Sequence, residues 1–233
     1  MAVLEKEITV SKEEKDVVSI SLILTNINIY IYNFIKRIID ILAGLVGVFF
    51  FLIIALFVKV AKIINRDKSR LIYSHKRIGK NGELFNFYKF QSMLEDSEGI
   101  LTELLKDPAR KKEWKKFRKF EDDPRITKVG KFLRKTSLDE FAQFINVLKG
   151  DMSLIGPRPY MPREEEDMGF YKKEIIKSKP GITGLWQVSG RNNTTFEERM
   201  DLDKQYSKKK SLWFDFKILV KTFLQVFKKD GAM

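Results

Sequence analysis

The sequence predicts a mainly α fold with a small β-hairpin: one membrane-embedded helix, read as re-entrant, joined to a compact domain with interfacial amphipathic helices. Three observations predict it: an uncharged apolar run from Ile41 to Val58, β-forming runs on both sides of Asn81-Gly82, and basic helical patterns following Asp107-Pro108 and Ser211. The chain divides into residues 1–35, an N-terminal extension; 36–66, the membrane helix and its flanks; 67–211, the globular domain; and 212–233, a C-terminal amphipathic helix.

Residues 1–16 are polar and mixed in charge, with no basic leader before an apolar core, and read as a mobile tail rather than a cleaved signal peptide. Residues 17–35 combine Ile, Val and Tyr with Ser, Thr and Asn, which suits either a strand or an interfacial helix. The run Ile41–Val58 holds 18 residues without a charge. As a helix it rises about 27 Å, close to the hydrocarbon thickness of a bilayer. A buried core helix is the soluble alternative, against which stands the lack of a polar face in FFFLIIALFV. Lys36 and Arg37 precede the run, and Lys59, Lys62 and Arg66 follow it. The positive-inside preference therefore does not separate its ends, and a helix that enters and returns is expected, with Gly44 and Gly47 as the bend.

Residues 70–78 and 84–90 flank Asn81-Gly82, a tight-turn dipeptide, and predict the hairpin. Asp107-Pro108 reads as a cap and first helical position. The helix that follows has Trp114, Phe117 and Phe120 on one side and eight basic residues between Lys106 and Lys119, a pattern able to lie on an anionic bilayer. Ser211 caps a last helix whose Leu212, Phe216, Leu219, Phe223 and Phe227 form one stripe, with Lys221, Lys228 and Lys229 elsewhere and Gly231 as its stop. Core packing and membrane contact demand the same stripe.

Composition narrows the chemistry. At 233 residues and 44% hydrophobic content the chain can bury one sizeable core, and its net charge of +13 favours polyanions: nucleic acid, an anionic membrane or phosphorylated substrates. With no cysteine and His75 as the lone histidine, chemistry must rest mainly on carboxylates, hydroxyls, Lys and Arg.

The segment KFLRKTSLDEFAQFINVLKGD, residues 131–151, joins a basic approach to a helix opening with Ser137, Leu138, Asp139 and Glu140. Ser137 and Glu140 fit a capping box, which alone would account for both. Arg134 and Lys135 lie just upstream, and Gly156-Pro157-Arg158-Pro159 follows; together these suit phosphate near a helix N-terminus. In that field Asp139 is expected ionised, hence available as a nucleophile and ill suited to donate a proton. The prolines flanking Arg158 suggest a rigid mount for bidentate phosphate contact. The glycines in Lys179-Pro180-Gly181 to Gly184 and in Ser189-Gly190-Arg191-Asn192-Asn193 suggest loops with amides exposed to phosphate or sugar hydroxyls.

The order KRIID, RIGKNGE, YKFQSM, DDPRITKVGKFLRKTSLDEFAQFINVLKGDMSLIGPRP and KPGITGLWQVSGRN, closed by a basic helix, resembles the bacterial sugar transferase family of monotopic polyprenyl-phosphate phosphoglycosyltransferases, over roughly residues 36–231. The resemblance implies a ping-pong transfer of hexose-1-phosphate from a UDP-sugar to undecaprenyl phosphate, initiating capsule or exopolysaccharide repeat-unit synthesis. It assigns Asp139 as nucleophile and Glu140 as the Mg²⁺ ligand or an aid to deprotonation. Arg134, Arg158 and Arg191 would bind phosphate or substrate. Two positions depart from the family pattern: Phe51-Leu52 replaces a Ser-Pro break in the membrane helix, and Gln91 replaces the basic residue of a KFRSM motif.

The implied partners are the UDP-sugar, undecaprenyl phosphate and inner-leaflet lipids, not nucleic acid, with a homo-oligomer left open. The implied location is the bacterial plasma membrane, with residues 67–211 as a cytoplasmic catalytic domain. The competing reading is a non-catalytic, membrane-tethered polyanion binder, which leaves residues 125–159 unexplained.

Overall fold

The computed structural model describes residues 12–117, 120–190 and 194–228. The chain separates into two compact units, Met1–Ile38 and Ile39–Met233. One helix, α1 (Lys12–Ile64), supplies the first unit and opens the second. Residues 17–35 are therefore helical, as are residues 12–16 of the expected tail; residues 1–11 of that tail lie outside the described residues. The span Asn26–Ile64 is long and apolar enough to cross a membrane. At Phe51-Leu52 the helix carries on.

Within the second unit α1 is two-sided. Asp40, Gly44, Gly47, Phe51, Val58 and Lys62, spaced by three, four or seven residues, form the side turned to the protein. On the opposite side Leu42, Leu45, Phe49, Leu52, Leu56 and Val60 are exposed. Gly44 and Gly47 are contact points for the helix α5 described below rather than a bend. A Cβ on Gly47 would fall 2.1 Å from the Phe144 ring, and one on Gly44 would fall 2.6 Å from Leu148 Cδ2. Helix α1 ends in a Schellman motif: Asp67 N donates to Lys62 O (2.9 Å), Arg66 N donates to Ile63 O (3.1 Å), and Arg66 is left-handed at φ 51°.

Strands β1 (Ile72–Ile78) and β2 (Leu84–Phe90) form the predicted antiparallel hairpin, in register from Ile72↔Phe90 to Ile78↔Leu84. Its turn takes five residues rather than two. Asn81 and Gly82 adopt positive φ (58° and 86°) within a short 3₁₀ segment, and Gly79 N donates to Glu83 O (2.7 Å). Helices α2 (Ser97–Leu104), α3 (Pro108–Phe117) and α4 (Lys128–Lys135) follow. Asp107 Oδ1 accepts from Ala109 N (2.7 Å), as expected of a cap. The Trp114 and Phe120 rings meet at 5.3 Å, tilted by 38°; Phe120 is buried beyond the helix end, and the Phe117 side chain and Lys119 lie outside the described residues.

After α4 come a 3₁₀ turn (Leu138–Ala142) and α5 (Gln143–Lys149), then β3 (Ser153–Ile155), α6 (Glu165–Met168) and α7 (Lys172–Ile175). Strand β4 (Gly181–Thr183) pairs in parallel with β3 and leads into α8 (Leu185–Ser189), α9 (Phe196–Lys209) and α10 (Leu212–Lys228). One apolar cluster, Phe51, Val58, Phe90, Val129, Leu133 and Ala142, joins α1, β2, α4 and the 3₁₀ turn. In α10 Asp215 and Ile218 are buried while Leu212, Phe216, Leu219 and Phe223 are exposed. The predicted stripe therefore faces away from the core. Ser211 Oγ accepts from Phe214 N (3.2 Å) as its cap; Lys229, Gly231 and the side chains of Phe227 and Lys228 lie outside the description.

Candidate active site

Alternation along the hairpin places Tyr73, His75, Arg77 and Lys89 on one face. These residues line a cleft of about 760 Å³, completed by Gln91 and Ser92, Trp114 and Arg125, Arg134 of α4 and the Arg158–Glu164 loop. Seven Lys and Arg side chains face it against four Asp and Glu. That volume and sign suit a bound molecule carrying several phosphates.

Helix α4 delivers Arg134. Thr127 caps the helix by accepting from Gly130 N (3.0 Å). Gly130 crosses the end of β2 so closely that a Cβ would fall 1.9 Å from Ser92 O, and no larger residue fits there. Arg134 Nε donates to Ser92 Oγ (2.9 Å), which fixes the guanidinium at the cleft wall.

The chain then turns sharply into the acidic pair. Ser137 adopts φ 55°, ψ 19° and its side chain caps nothing. The expected capping box is therefore absent, because an N-cap needs extended backbone to aim its oxygen at the following amides. A capping box stands instead at Thr195 and Glu198, whose reciprocal bonds measure 3.2 and 2.7 Å.

Asp139 is buried at 9% exposure, whereas Glu140 is exposed. Burial pushes the Asp139 carboxyl above its ordinary range, opposed by the charges of Lys89 and Arg134. The field expected to keep it ionised is thus outweighed by desolvation. Burial likewise pushes the Lys89 ammonium down, reinforced by Arg134 and resisted by Asp139. Asp139, Lys89 and Arg134 form one coupled group whose two cations line the cleft. Lys89 stands in the quoted motif YKFQSM, and its role was missed there; the signal available was its place on the hairpin face shared with His75 and Arg77.

Arg158 lines the same cleft. Its Nη2 donates to Glu164 Oε1 (3.1 Å), and its guanidinium lies over Tyr160 (5.2 Å) and Phe196 (5.9 Å). Its Nη1 is buried with no hydrogen-bond partner among the described residues. One nitrogen is spent on Glu164, so the bidentate phosphate contact expected from the two prolines gives way to a single remaining edge. Arg191 lies outside the described residues, as do Asn192 and Asn193.

The glycine loops have a structural use. Gly156 N donates to Thr183 O and Gly181 N to Pro157 O, both at 2.9 Å. Both amides are unavailable to a ligand, which for Gly181 is contrary to expectation. Arg77 Nε donates to His75 Nε2 (2.6 Å) and Arg77 Nη1 to Pro159 O (2.8 Å). Burial, then the charges of Arg77, Lys89 and Arg163, hold His75 neutral with a pKa of about 3. The only histidine is therefore no acid catalyst at neutral pH.

Among the described residues no three Asp, Glu or His side chains converge to hold a metal. The donor set is nevertheless adequate for Mg²⁺, which takes one or two protein carboxylates and completes its shell with water and substrate phosphate. Asp139 and Glu140 would be the carboxylates available to such an ion.

Comparison with known proteins matches residues 31–229 to a family described as bacterial sugar transferase. The chain is 47% identical over 207 residues to an undecaprenyl-phosphate galactose phosphotransferase of Salmonella typhimurium, covering 86% of this chain and 42% of that protein. It is 44% identical over 205 residues to a UDP-galactose-lipid carrier transferase of Erwinia amylovora, covering 86% and 42%. With the exopolysaccharide production protein ExoY of Rhizobium meliloti it shares 39% identity over 198 residues, 84% of this chain and 87% of that protein. The chain spans less than half the length of the first two relatives and most of the third.

Proposed function

Because this chain belongs to the bacterial sugar transferase family, we propose that it transfers a hexose-1-phosphate from a UDP-sugar to undecaprenyl phosphate, initiating capsule or exopolysaccharide repeat-unit synthesis. The observation that carries the reading is the group Asp139, Lys89 and Arg134 beside a cation-lined cleft of about 760 Å³. Relatives named for undecaprenyl-phosphate and for UDP-galactose-lipid carrier transfer support the two substrate classes.

In the first half-reaction Asp139 Oδ attacks the sugar-bearing phosphorus. The bond to the bridging oxygen breaks, and UMP leaves with the electron pair. In the second, a phosphate oxygen of the carrier attacks the same phosphorus, and the bond to Asp139 breaks to restore the carboxylate. Lys89 and Arg134 supply positive charge where oxygen charge develops, and Arg158, which lines the same cleft, adds to that charge. A bound Mg²⁺, held by Glu140 with Asp139 and substrate phosphate, would add charge neutralisation of the same kind.

The domain sits at the plasma membrane, on the cytoplasmic side where nucleotide-sugars are made. The exposed apolar sides of α1 and α10 support that placement. Release of UMP from a panel of UDP-sugars, by detergent-purified protein with Mg²⁺, tests the reaction. Expected are dependence on one sugar and on Asp139, together with a phosphosugar adduct on the Asp139 peptide after quenching. Undiminished release from Asp139→Asn would refute the assignment. No release from any donor, with lipid binding intact, would favour a membrane-tethered polyanion binder.

A further inference from the structure

The side of α1 turned to the protein carries one carboxylate. Asp40 is 3% exposed, and its Oδ1 accepts from Ser153 Oγ (2.9 Å) and from Leu154 N (2.8 Å). An ionisable side chain in an apolar helix is costly and is retained where it has a partner and a task. Both partners of Asp40 sit at the start of β3, which runs directly into Gly156-Pro157-Arg158.

That short stretch has no slack. Ser153 N donates to Pro180 O (2.8 Å), Gly156 N to Thr183 O (2.9 Å) and Arg158 N to Asp203 Oδ2 (3.0 Å). Gly156 abuts the neighbouring backbone so closely that a Cβ would fall 2.2 Å from Lys179 O. A displacement at Ser153 is therefore passed along to Arg158 instead of being absorbed between them.

We propose that Asp40 is a positioning residue: by holding Ser153 and Leu154 it fixes the register of β3 and so places Arg158 in the cleft. The apolar helix then has a part in binding the donor as well as in anchoring. The kinetic side of this inference rests on the phosphoglycosyltransferase reading; the structural side does not.

The test uses the full chain in lipid nanodiscs with Asp40→Ala and Asp40→Asn, the latter keeping an acceptor oxygen. Amide hydrogen exchange over residues 153–158 should quicken about tenfold or more in Asp40→Ala, because two buried donors lose their acceptor, and stay near the parent in Asp40→Asn. For the donor, KM should rise several-fold in Asp40→Ala with kcat nearly unchanged, and Asp40→Asn should restore it. Combining Asp40→Ala with Arg158→Lys should cost less in KM than the two changes apart would sum to.

Unchanged exchange in Asp40→Ala would overturn the proposal. So would an Asp40→Asn variant as impaired as Asp40→Ala, or a fall in kcat alone, which loss of folded enzyme would produce. If the parent releases UMP from no donor, the functional reading fails by itself, and the exchange result still decides whether Asp40 holds β3.

Discussion

The Asp203→Asn substitution tests how charge is carried beneath the Arg158 loop. Asp203 is fully buried on α9 and accepts from Tyr160 OH (2.8 Å) and Arg158 N (3.0 Å), while its Oδ1 has no hydrogen-bond partner among the described residues. Burial raises its pKa from 3.8 to about 7, against the Arg158 amide, the Tyr160 hydroxyl and the charges of Arg158 and Arg199. Between these two values the folded protein holds a proton that the unfolded chain has released. Its contribution is therefore fully present below about pH 4 and lost as pH rises through about 7. A rise from 3.8 to about 7 is worth about 4 kcal/mol, of which about 3 kcal/mol is lost between pH 5 and pH 8. Asn cannot ionise and keeps the acceptor. Thermal unfolding in detergent should show the variant gaining on the parent as pH rises, by roughly 5–10 °C between pH 5 and pH 8. Parallel melting curves would refute the reasoning and mean that Asp203 is already ionised at pH 5, held so by Arg158 and Arg199.

Gly47→Leu, placed against the Phe144 ring, should cost about 1–3 kcal/mol by overpacking, read as a lower Tm, with Gly47→Ala milder. Arg134→Gln removes a cation that opposes the rise of the Asp139 pKa. The acidic limb of its pH–rate profile for UMP release should therefore move to higher pH; an unmoved limb would separate Asp139 from that titration. Phe216→Glu with Phe223→Glu, both on the exposed side of α10, should weaken co-flotation with anionic vesicles while leaving Tm near the parent value.

Much of the fold was legible because its signals are local. Asn81-Gly82 marked the hairpin, Asp107-Pro108 and Ser211 marked helix starts, and the α10 stripe was readable, although only packing showed which way it faces. What escaped depended on tertiary neighbours. Ser137 and Glu140 spell a capping box, but the left-handed Ser137 makes a turn instead. The upward push that burial gives the Asp139 carboxyl has no trace in the LDE tripeptide, because it comes from tertiary neighbours. Gly181, which looked like part of a ligand cradle, spends its amide on Pro157 O, some 25 residues away. Lys89 emerges only once the two strands are aligned and Tyr73, His75 and Arg77 fall beside it.

The apolar helix α1 is not a removable handle. Phe51 and Val58 close the cluster formed by Phe90, Leu133 and Ala142, and Phe144 fills the space that Gly47 leaves open. A truncation at residue 65 would bare that cluster directly behind the acidic pair and strip Ser153 of its acceptor. Engineering a water-soluble fragment would therefore have to proceed by recolouring the outer face of the helix, at Leu42, Leu45, Phe49, Leu52 and Leu56, while the inner face stays as it is.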